Sequence, residues 1–512
     1  MSDETEIKLA IPAEELAAVE GLFAQDPPAE VESTYFDTPD LLLRQHGIQV
    51  RVRRDGDALL QTVKLPDDQG SALTRAEHEI PIKRPTLKLD HLLSAIPEAL
   101  REEIAASELS PIFTTRFIRR RHRAGPDGVV ELAFDRGEIT RGDQQVPILE
   151  VEAELKGNDL SAFIQVVLDF LDHVPASLIA SGKAARGYRL VTGAGPDVTH
   201  SPKLFLEPDL VLPDAIRLML RHSFTHFLKN FAAAEAGVPE GIHQVRVGLR
   251  RFRSTISAFS PVMNTAGADG LIAGVKKLFT VLGTVREADV FLAENLPELA
   301  AAGMTPRLVD VVREETGRYR REAQDQLAAV LASTATARLV IELYGWIESG
   351  AWLKQDSPVD RLLAQRPVGD FAAPRLRKLH KRLLKKGKAA RLSIVLDDWH
   401  EARIAAKKLR YAAEPLLSTL DLPRDAADGY RKTVEAIQGE LGHLNDLHVA
   451  EDFLSKVIKT AAPQRRRSLK SALAVLKDWR ARVEDEFIAG AGRAFRRFEK
   501  EGFPLRKGSA QR

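Results

Sequence analysis

The chain has 512 residues, with 74 Lys+Arg against 72 Asp+Glu and 44% hydrophobic residues. That size and balance exclude a disordered or collagen-like chain, and the absence of cysteine excludes disulfides, thiolate metal sites and cysteine nucleophiles. The near-neutral total conceals a split: residues 1–200 carry 22 basic and 34 acidic side chains, net −12, and residues 201–512 carry 52 and 38, net +14.

From the N-terminus, short runs with a period near two predict eight strands. They are Glu4–Ile11, Val31–Asp37, Ile48–Arg54, Ala58–Leu65, Ala72–Ile82, Ile112–Arg123, Val129–Ile139 and Val146–Lys156. Asp55-Gly56-Asp57 and Pro126-Asp127-Gly128 read as hairpin turns. Helices are expected at 12–24, 88–106 and 159–172. Eight mostly antiparallel strands can close into a barrel. The stretch Thr192–Pro202 reads as a linker.

Beyond residue 203 the period changes to that of amphipathic helices: 212–235, 241–260, 268–284, 286–300, 305–348, 370–391, 397–418, 424–442, 444–460 and 463–500. Lys507–Arg512 reads as a frayed tail. The fold class expected is therefore α+β and multidomain. An N-terminal eight-stranded antiparallel β-barrel tunnel with flanking helices occupies 1–192, and 193–203 is the linker. An all-α domain of two repeated bundles occupies 204–505, with repeats at about 204–345 and 360–505. No apolar run approaches the roughly 18 residues of a membrane span. The acidic Met1-Ser2-Asp3-Glu4 lacks the basic and apolar regions of a signal peptide. A cytoplasmic protein without a membrane partner is expected.

In the strand region charges alternate onto one face. Glu4, Glu6 and Lys8 share a face, as do Arg51 with Arg53, Thr62 with Lys64, Arg75 with Glu77 and Glu79, Glu131 with Asp135, and Glu150 with Glu152 and Glu154. On one strand such a face would normally see water. Six strands behaving alike, with helices available to cover the apolar faces, instead predict a charged tunnel. Clustered carboxylates suit a hard divalent cation, Mg²⁺ or Mn²⁺. Clustered Arg and Lys suit phosphate oxygens.

Glu4-Thr5-Glu6-Ile7-Lys8 fits the ExExK signature of the CYTH, or triphosphate tunnel metalloenzyme, family. Further matches are Tyr35-Phe36-Asp37-Thr38-Pro39, Gly47 to Arg53, Thr62-Val63-Lys64, Arg75-Ala76-Glu77, Thr115 to Arg119, Glu131 to Gly137, Glu150 to Leu155 and Lys183-Ala184-Ala185-Arg186-Gly187-Tyr188. The resemblance implies a metal-dependent triphosphatase. It would place metal on Glu4, Glu6, Glu150 and Glu152, with Glu154 a further ligand. It would place phosphates against Lys8, Arg51, Arg53, Lys64, Arg75, Arg119, Lys183 and Arg186. Glu4, Glu6 and Lys8 would be the catalytic group, with Lys8 either clamping phosphate or orienting or deprotonating the water. Inorganic triphosphate is the expected substrate, because no aromatic platform for a base is evident. Thiamine triphosphate and ATP, including its cyclisation to cyclic AMP, stay open. Arg116 competes with Arg119 for the tunnel-facing position of its strand.

The helical region contains a repeat. His243-Gln-Val-Arg-Val-Gly-Leu-Arg-Arg-Phe-Arg253 aligns with His400-Glu-Ala-Arg-Ile-Ala-Ala-Lys-Lys-Leu-Arg410, 157 residues later. Leu282-Gly283 with Arg286-Glu287 aligns with Leu441-Gly442 with Asn445-Asp446. At 100° per residue His243, Arg246, Arg250, Arg251 and Arg253 fall within an arc of about 160°. His400, Arg403, Lys407, Lys408 and Arg410 do the same. These arcs hold almost no acids, so ordinary i,i+4 pairing does not neutralise them. Arg375, Lys378 and Arg382 continue the basic surface. The pair resembles the CHAD domain, a conserved-histidine α-helical domain, over about 205–505. The resemblance implies inorganic polyphosphate binding on these residues. Association with polyphosphate granules follows as an expectation. No base-reading motif supports a nucleic-acid partner. A non-catalytic polyphosphate-binding protein is the alternative to an enzyme.

Overall fold

The computed structural model describes residues 2–66, 73–393 and 396–505, and the side chains within them except those of residues 2–4, 74–76, 396 and 444. The expected ligands Glu4 and Arg75 therefore have a described backbone only. Ala72 and the expected tail Lys507–Arg512 lie outside the described residues.

Nine strands form one antiparallel sheet: β1 Ser2–Ala10, β2 Pro28–Asp37, β3 Gln49–Asp55, β4 Ala58–Lys64, β5 Thr74–Pro81, β6 Ser110–Ala124, β7 Val130–Arg141, β8 Gln144–Leu155 and β9 Ser177–Leu178. The order is β5-β4-β3-β2-β6-β7-β8-β1-β9. β1 is shared between two neighbours. Glu6 to Ala10 pair with β8, while Ser2 to Thr5 pair with β5. The eight long strands thus come round on themselves, meeting over that short first stretch of β1. The expected eight strands are all present, and β9 is a two-residue addition on the edge of β1.

The helices of the strand region are α1 Leu16–Leu22, α2 Leu42–Gln45, α3 Leu89–Ala95, α4 Glu98–Ala106, α5 Leu160–His173 and α6 Lys183–Thr192. The expected helix at 88–106 is broken by Pro97, whose ring starts α4 and removes a donor from α3. They cover the apolar outer faces of the strands. Leu92, Ile96 and Ile104 pack on Val50, Val52 and Val63. Ala184 and Tyr188 of α6 pack on Phe113, Phe117 and Ile148. With their apolar faces satisfied outside, the strands turn their charged faces inward.

The remaining helices are α7 Leu212–Lys229, α8 Phe231–Glu235, α9 Pro239–Ala258, α10 Asp269–Val290, α11 Leu296–Ala301, α12 Pro306–Leu331, α13 Thr334–Ser349, α14 Pro358–Ala364, α15 Val368–Leu392, α16 Leu396–Leu416, α17 Arg424–Thr460 and α18 Pro463–Glu501. The expected helix 305–348 is two helices. Ser333 ends the first and starts the next, its Oγ accepting from Thr336 N at 3.2 Å. The two helices expected at 424–442 and 444–460 are one continuous helix. Among the described residues no single helix is long and apolar enough to cross a membrane.

Two compact units result. One holds residues 1–199 with 224–245 and 328–349, and the other holds 200–223, 246–327 and 350–512. In the first, α13 packs on α5, where a Cβ on Gly345 would meet Ile164 Cγ1 at 3.3 Å. In the second, Ala288, Leu299, Val312, Phe453 and Leu476 form a core across α10, α11, α12, α17 and α18.

Candidate functional site

Strand register builds the tunnel site. Glu6 stands opposite Glu154, and Glu154 opposite Glu131. Lys8 faces Glu152. Glu150 faces Asp135, which faces Arg119. On the other side Lys64 faces Glu77 and Thr62 faces Glu79. These residues surround a cavity of about 1150 Å³. Glu6, Lys8, Arg51, Arg53, Lys64, Arg119, Glu152, Glu154 and Lys183 line it, as expected from the sequence. Glu150 and Arg186 are set behind this lining and pair with each other. Arg119 is buried, whereas Arg116 is exposed and paired with Glu32 at 2.9 Å. That settles the register of β6 in favour of Arg119.

One wall is a dense ion network. Lys8 Nζ donates to Glu6 Oε2 and Glu152 Oε1, both at 2.6 Å. Arg119 grips Asp135 with two hydrogen bonds of 2.6 Å and donates to Glu152 Oε2 at 2.5 Å. Lys183 Nζ donates to Asp135 at 2.7 Å, Glu150 at 2.5 Å and Glu152 at 3.0 Å. Asp135 and Glu150 are fully buried. Burial alone would raise the pKa of Glu152, but Lys183, Lys8 and Arg119 hold it well below the usual carboxylate range. Burial alone would lower that of Lys8, but Glu152 and Glu6 hold it above its ordinary value.

On the opposite wall the cations pair with Glu77 and Asp55, Arg53 lying 3.5 Å from Asp55. Lys64 pairs with Glu77 at 3.0 Å, and Arg51 lies 3.5 Å from the same carboxylate. The Nε atoms of Arg51, Arg53 and Arg186 are buried with no hydrogen-bond partner among the described residues. Burial, then Arg51 and Arg119, lower the pKa of Arg53 to about 10. Arg51, Arg53 and Lys64 line the cavity, and cations so placed fit an anion rich in oxygen.

The carboxylates converge in two groups. Oxygens of Asp135, Glu150 and Glu152 lie within 4.8 Å of one another, with Lys183 Nζ bonded to all three. Glu6, Glu154 and Glu131 follow one another at directly paired positions. Each of the three has a protein cation beside it: Lys8 at Glu6, Lys156 at Glu154, and Arg121 with Arg123 at Glu131. All these donors are hard oxygens, and they fit a divalent cation of the Mg²⁺ or Mn²⁺ type. Asp135 was not among the expected ligands. Its shared strand face with Glu131 is legible, but its convergence with Glu150 depends on which strands neighbour each other.

The helix α6 carries Lys183 and Arg186, and two features of sequence fix it. Gly187 lies where a Cβ would come within 2.1 Å of Phe113 Cε2, so only glycine lets the helix rest on β6. Tyr188 OH donates to Asp37 Oδ2 at 2.8 Å. Asp37 also accepts from the backbone of Thr38, Leu43 and Arg44. The Tyr35–Pro39 motif thus anchors α6 and α2, and only Tyr35 of it reaches the cavity.

In the second unit the two repeats meet. Arg250 of α9 and Arg410 of α16 both lie over the ring of Tyr411, at 5.3 Å and 5.5 Å. Arg246 lies over Phe279 and donates to its carbonyl at 2.8 Å. A Cβ on Gly283 would sit 2.7 Å from Arg246 Nη1, so that glycine makes room for the guanidinium. Burial, then Arg403 and Arg250, lower the pKa of Lys407 to about 8. Burial, then Arg250, lower that of Arg246 to about 10. The Nε atoms of Arg250, Arg375 and Arg403 are buried without a partner among the described residues. Arg246, Arg250, Arg403 and Lys407 therefore form a self-repelling cationic cluster, moderated by Asp446 and Glu287. Arg251 leaves this group and pairs with Glu414 at 2.7 Å. Arg253, Lys378, Arg382, His400 and Lys408 are exposed. His243 is half-buried on α9. Arg375 donates to Ser257 O at 2.6 Å. His400 and Arg403 also line a pocket of about 300 Å³ with Asp397, Trp399, Asn445 and His448.

A strand tunnel lined by paired acids and bases, followed by repeated cationic helices, defines the class of the chain. The CYTH domain family matches residues 2–188 and the CHAD domain family matches residues 218–455. The chain carries a CYTH domain followed by a CHAD domain. Over 165 residues it is 32% identical to an inorganic triphosphatase of Haemophilus influenzae, which covers 31% of this chain and 45% of that relative. The chain thus spans less than half of the length of that curated relative. Over 463 residues it is 24% identical to an uncharacterized protein of Mycobacterium tuberculosis, covering 84% of this chain and 82% of the relative. A solved CHAD domain from the plant Ricinus communis is 28% identical, with a TM-score of 0.50, covering 58% of this chain and 97% of that one.

Proposed function

We propose that the chain hydrolyses inorganic triphosphate to pyrophosphate and phosphate in the tunnel, and binds polyphosphate on the cationic cluster of its helical region. The observation that carries the first part is the convergence of two opposed charge sets on one cavity of about 1150 Å³. The carboxylates suit a divalent cation, and Arg51, Arg53 and Lys64 suit phosphate oxygens. The inorganic triphosphatase named among the relatives aligns over the strand region and supports the reading.

Glu6, Glu152 and Glu154 are the cavity-lining carboxylates that would hold Mg²⁺ or Mn²⁺, with Glu150 and Asp135 behind them. When bound, such an ion would supply charge neutralisation of the phosphate and acidify a water. Arg51, Arg53 and Lys64 bind and orient the chain of phosphates from the opposite wall. Arg119 and Lys183 hold Glu152 in place. Lys8 keeps its proton between Glu6 and Glu152, so it contributes a positive charge and a donor rather than a base. The oxygen of water forms a bond to the terminal phosphorus as the bridging P–O bond breaks, and the pyrophosphate leaves with that electron pair. The walls fix the line of attack and spread the charge.

Phosphate release should be measured on triphosphate, ATP, thiamine triphosphate, pyrophosphate and long polyphosphate with Mg²⁺ and with Mn²⁺. Triphosphate should be turned over fastest, and Glu6→Gln should remove the metal-dependent rate. If the wild-type protein releases no phosphate from triphosphate with either metal, the enzymatic reading fails and the tunnel is a binding site. The polyphosphate part rests on the cluster of Arg246, Arg250, Arg403 and Lys407. Competition tests it: polyphosphate should displace labelled DNA at far lower phosphate concentration than the reverse.

A further inference from the structure

The cavity does not end at the ion network. Its lining continues through Arg189 of α6, the linker residues Pro196, Asp197 and Thr199, and Lys229 at the end of α7. We propose that Arg189 and Lys229 form an additional phosphate subsite at this mouth, which holds the tail of condensed phosphate chains longer than three phosphates. The inference rests on the triphosphatase reading and names the substrate class that reading leaves open.

The first argument is charge balance along α6. Lys183, Arg186 and Arg189 recur every three residues and so lie on one side of the helix. Lys183 and Arg186 are spent on Asp135, Glu150 and Glu152. Arg189 makes only a hydrogen bond to Ser181 Oγ, at 2.9 Å. It stands about 9 Å along the helix from Lys183, at 1.5 Å per residue. Neither Arg189 nor Lys229 has an ion pair within 4.0 Å among the described residues. The mouth therefore holds two cations without a carboxylate in direct contact, Asp197 and Glu235 acting on Arg189 only from further off.

The second argument is that the mouth is built. Asn230 is fully buried and clasps the linker, its Oδ1 accepting from Thr199 N and its Nδ2 donating to Thr199 O, both at 2.9 Å. Asp197 is tied to Arg44 at 3.0 Å. These contacts hold the linker across the opening and set Lys229, next to Asn230, on the cavity. Asp197 lines the mouth and, with Glu235, lies near enough to Arg189 to act on its charge. A phosphate tail would relieve the crowding of Arg189 by Arg186.

The test is a ratio of specificities in the full chain: kcat/KM for inorganic tetraphosphate over that for triphosphate. Lys229→Ala should lower the ratio about threefold, and the double change with Arg189→Ala about tenfold, as expected for exposed and half-exposed charge contacts. Asp197→Asn should raise it. Equal loss on both substrates would mark a structural role and overturn the proposal, as would a ratio unmoved in all variants. Calorimetric titration with the same two anions and Mg²⁺ keeps the inference separate from the reading beneath it. If the wild type binds both but turns over neither, the activity reading fails while the affinity ratio still decides the subsite. If the affinity ratio is also unmoved by the substitutions, the subsite fails.

Discussion

Glu152 is the side chain on which the tunnel turns, because Lys8, Arg119 and Lys183 all converge on it. Removing one member of such a buried network leaves its partners' charges uncompensated, at a cost of about 3 kcal/mol. Glu152→Gln should lower the thermal midpoint accordingly and reduce triphosphate turnover by about 100-fold, the upper range for disturbing a metal site. The pH dependence has a definite sign. The folded carboxylate has a depressed pKa, so its stabilisation is present above the unfolded value, about 4.3. It is lost as pH falls from there through the folded value. Acid titration followed by circular dichroism should show the wild type losing stability over that range and Glu152→Gln losing less. Lys407 behaves in the opposite sense. Its ammonium is crowded by burial and by Arg403 and Arg250, which brings its pKa to about 8. A polyanion favours the charged form. Polyphosphate affinity should therefore fall as pH rises through about 8, and Lys407→Arg should abolish that step. An affinity profile from pH 6.5 to 9.5, about that value, reads it directly.

The element that couples fold to site is α6. Gly187→Ala would drive a methyl group into the Phe113 ring, where the space is 2.1 Å. Overpacking of this kind costs about 1–3 kcal/mol, and it would move the helix that carries Lys183 and Arg186. A lowered thermal midpoint together with a raised KM for triphosphate is expected, and an unchanged KM would show that α6 does not position the tunnel cations. The strands were legible because alternation of Glu6, Lys8, Arg51, Arg53, Glu150 and Glu152 with Ile7, Leu9, Val50, Val52, Leu149 and Val151 forces a period of two. The repeat on α9 and α16 was equally legible, because five charges return at the same spacing. Three things were not. The grouping of Asp135 with Glu150 and Lys183 needs the neighbour order β6-β7-β8-β1, which no local pattern encodes. The continuity of α17 across residue 443 was not read, since a glycine inside a helix lowers helix propensity without ending it. Tyr411 gave no signal, since its place between Arg250 and Arg410 arises only when the two copies pack.

At the scale of the molecule, the near-equality of 74 basic and 72 acidic residues is the sum of two distributions with different requirements. In the strand region phosphate would share its cavity with Glu6, Glu152 and Glu154, so anion binding there needs a divalent cation between them. In the helical region Arg246, Arg250, Arg403 and Lys407 face one another without comparable acids, and an anion itself relieves their repulsion. Chelation should therefore separate the two proposed activities. In excess EDTA, phosphate release from triphosphate should fall to background and return on adding Mg²⁺ or Mn²⁺. Retention of the protein on immobilised polyphosphate should persist in EDTA and weaken instead with salt, because ion screening acts on exposed charge over about 8 Å at physiological strength. Release that survives chelation would remove the metal from the account of the tunnel. Retention lost on chelation would place polyphosphate binding on the carboxylates rather than on the repeated helices.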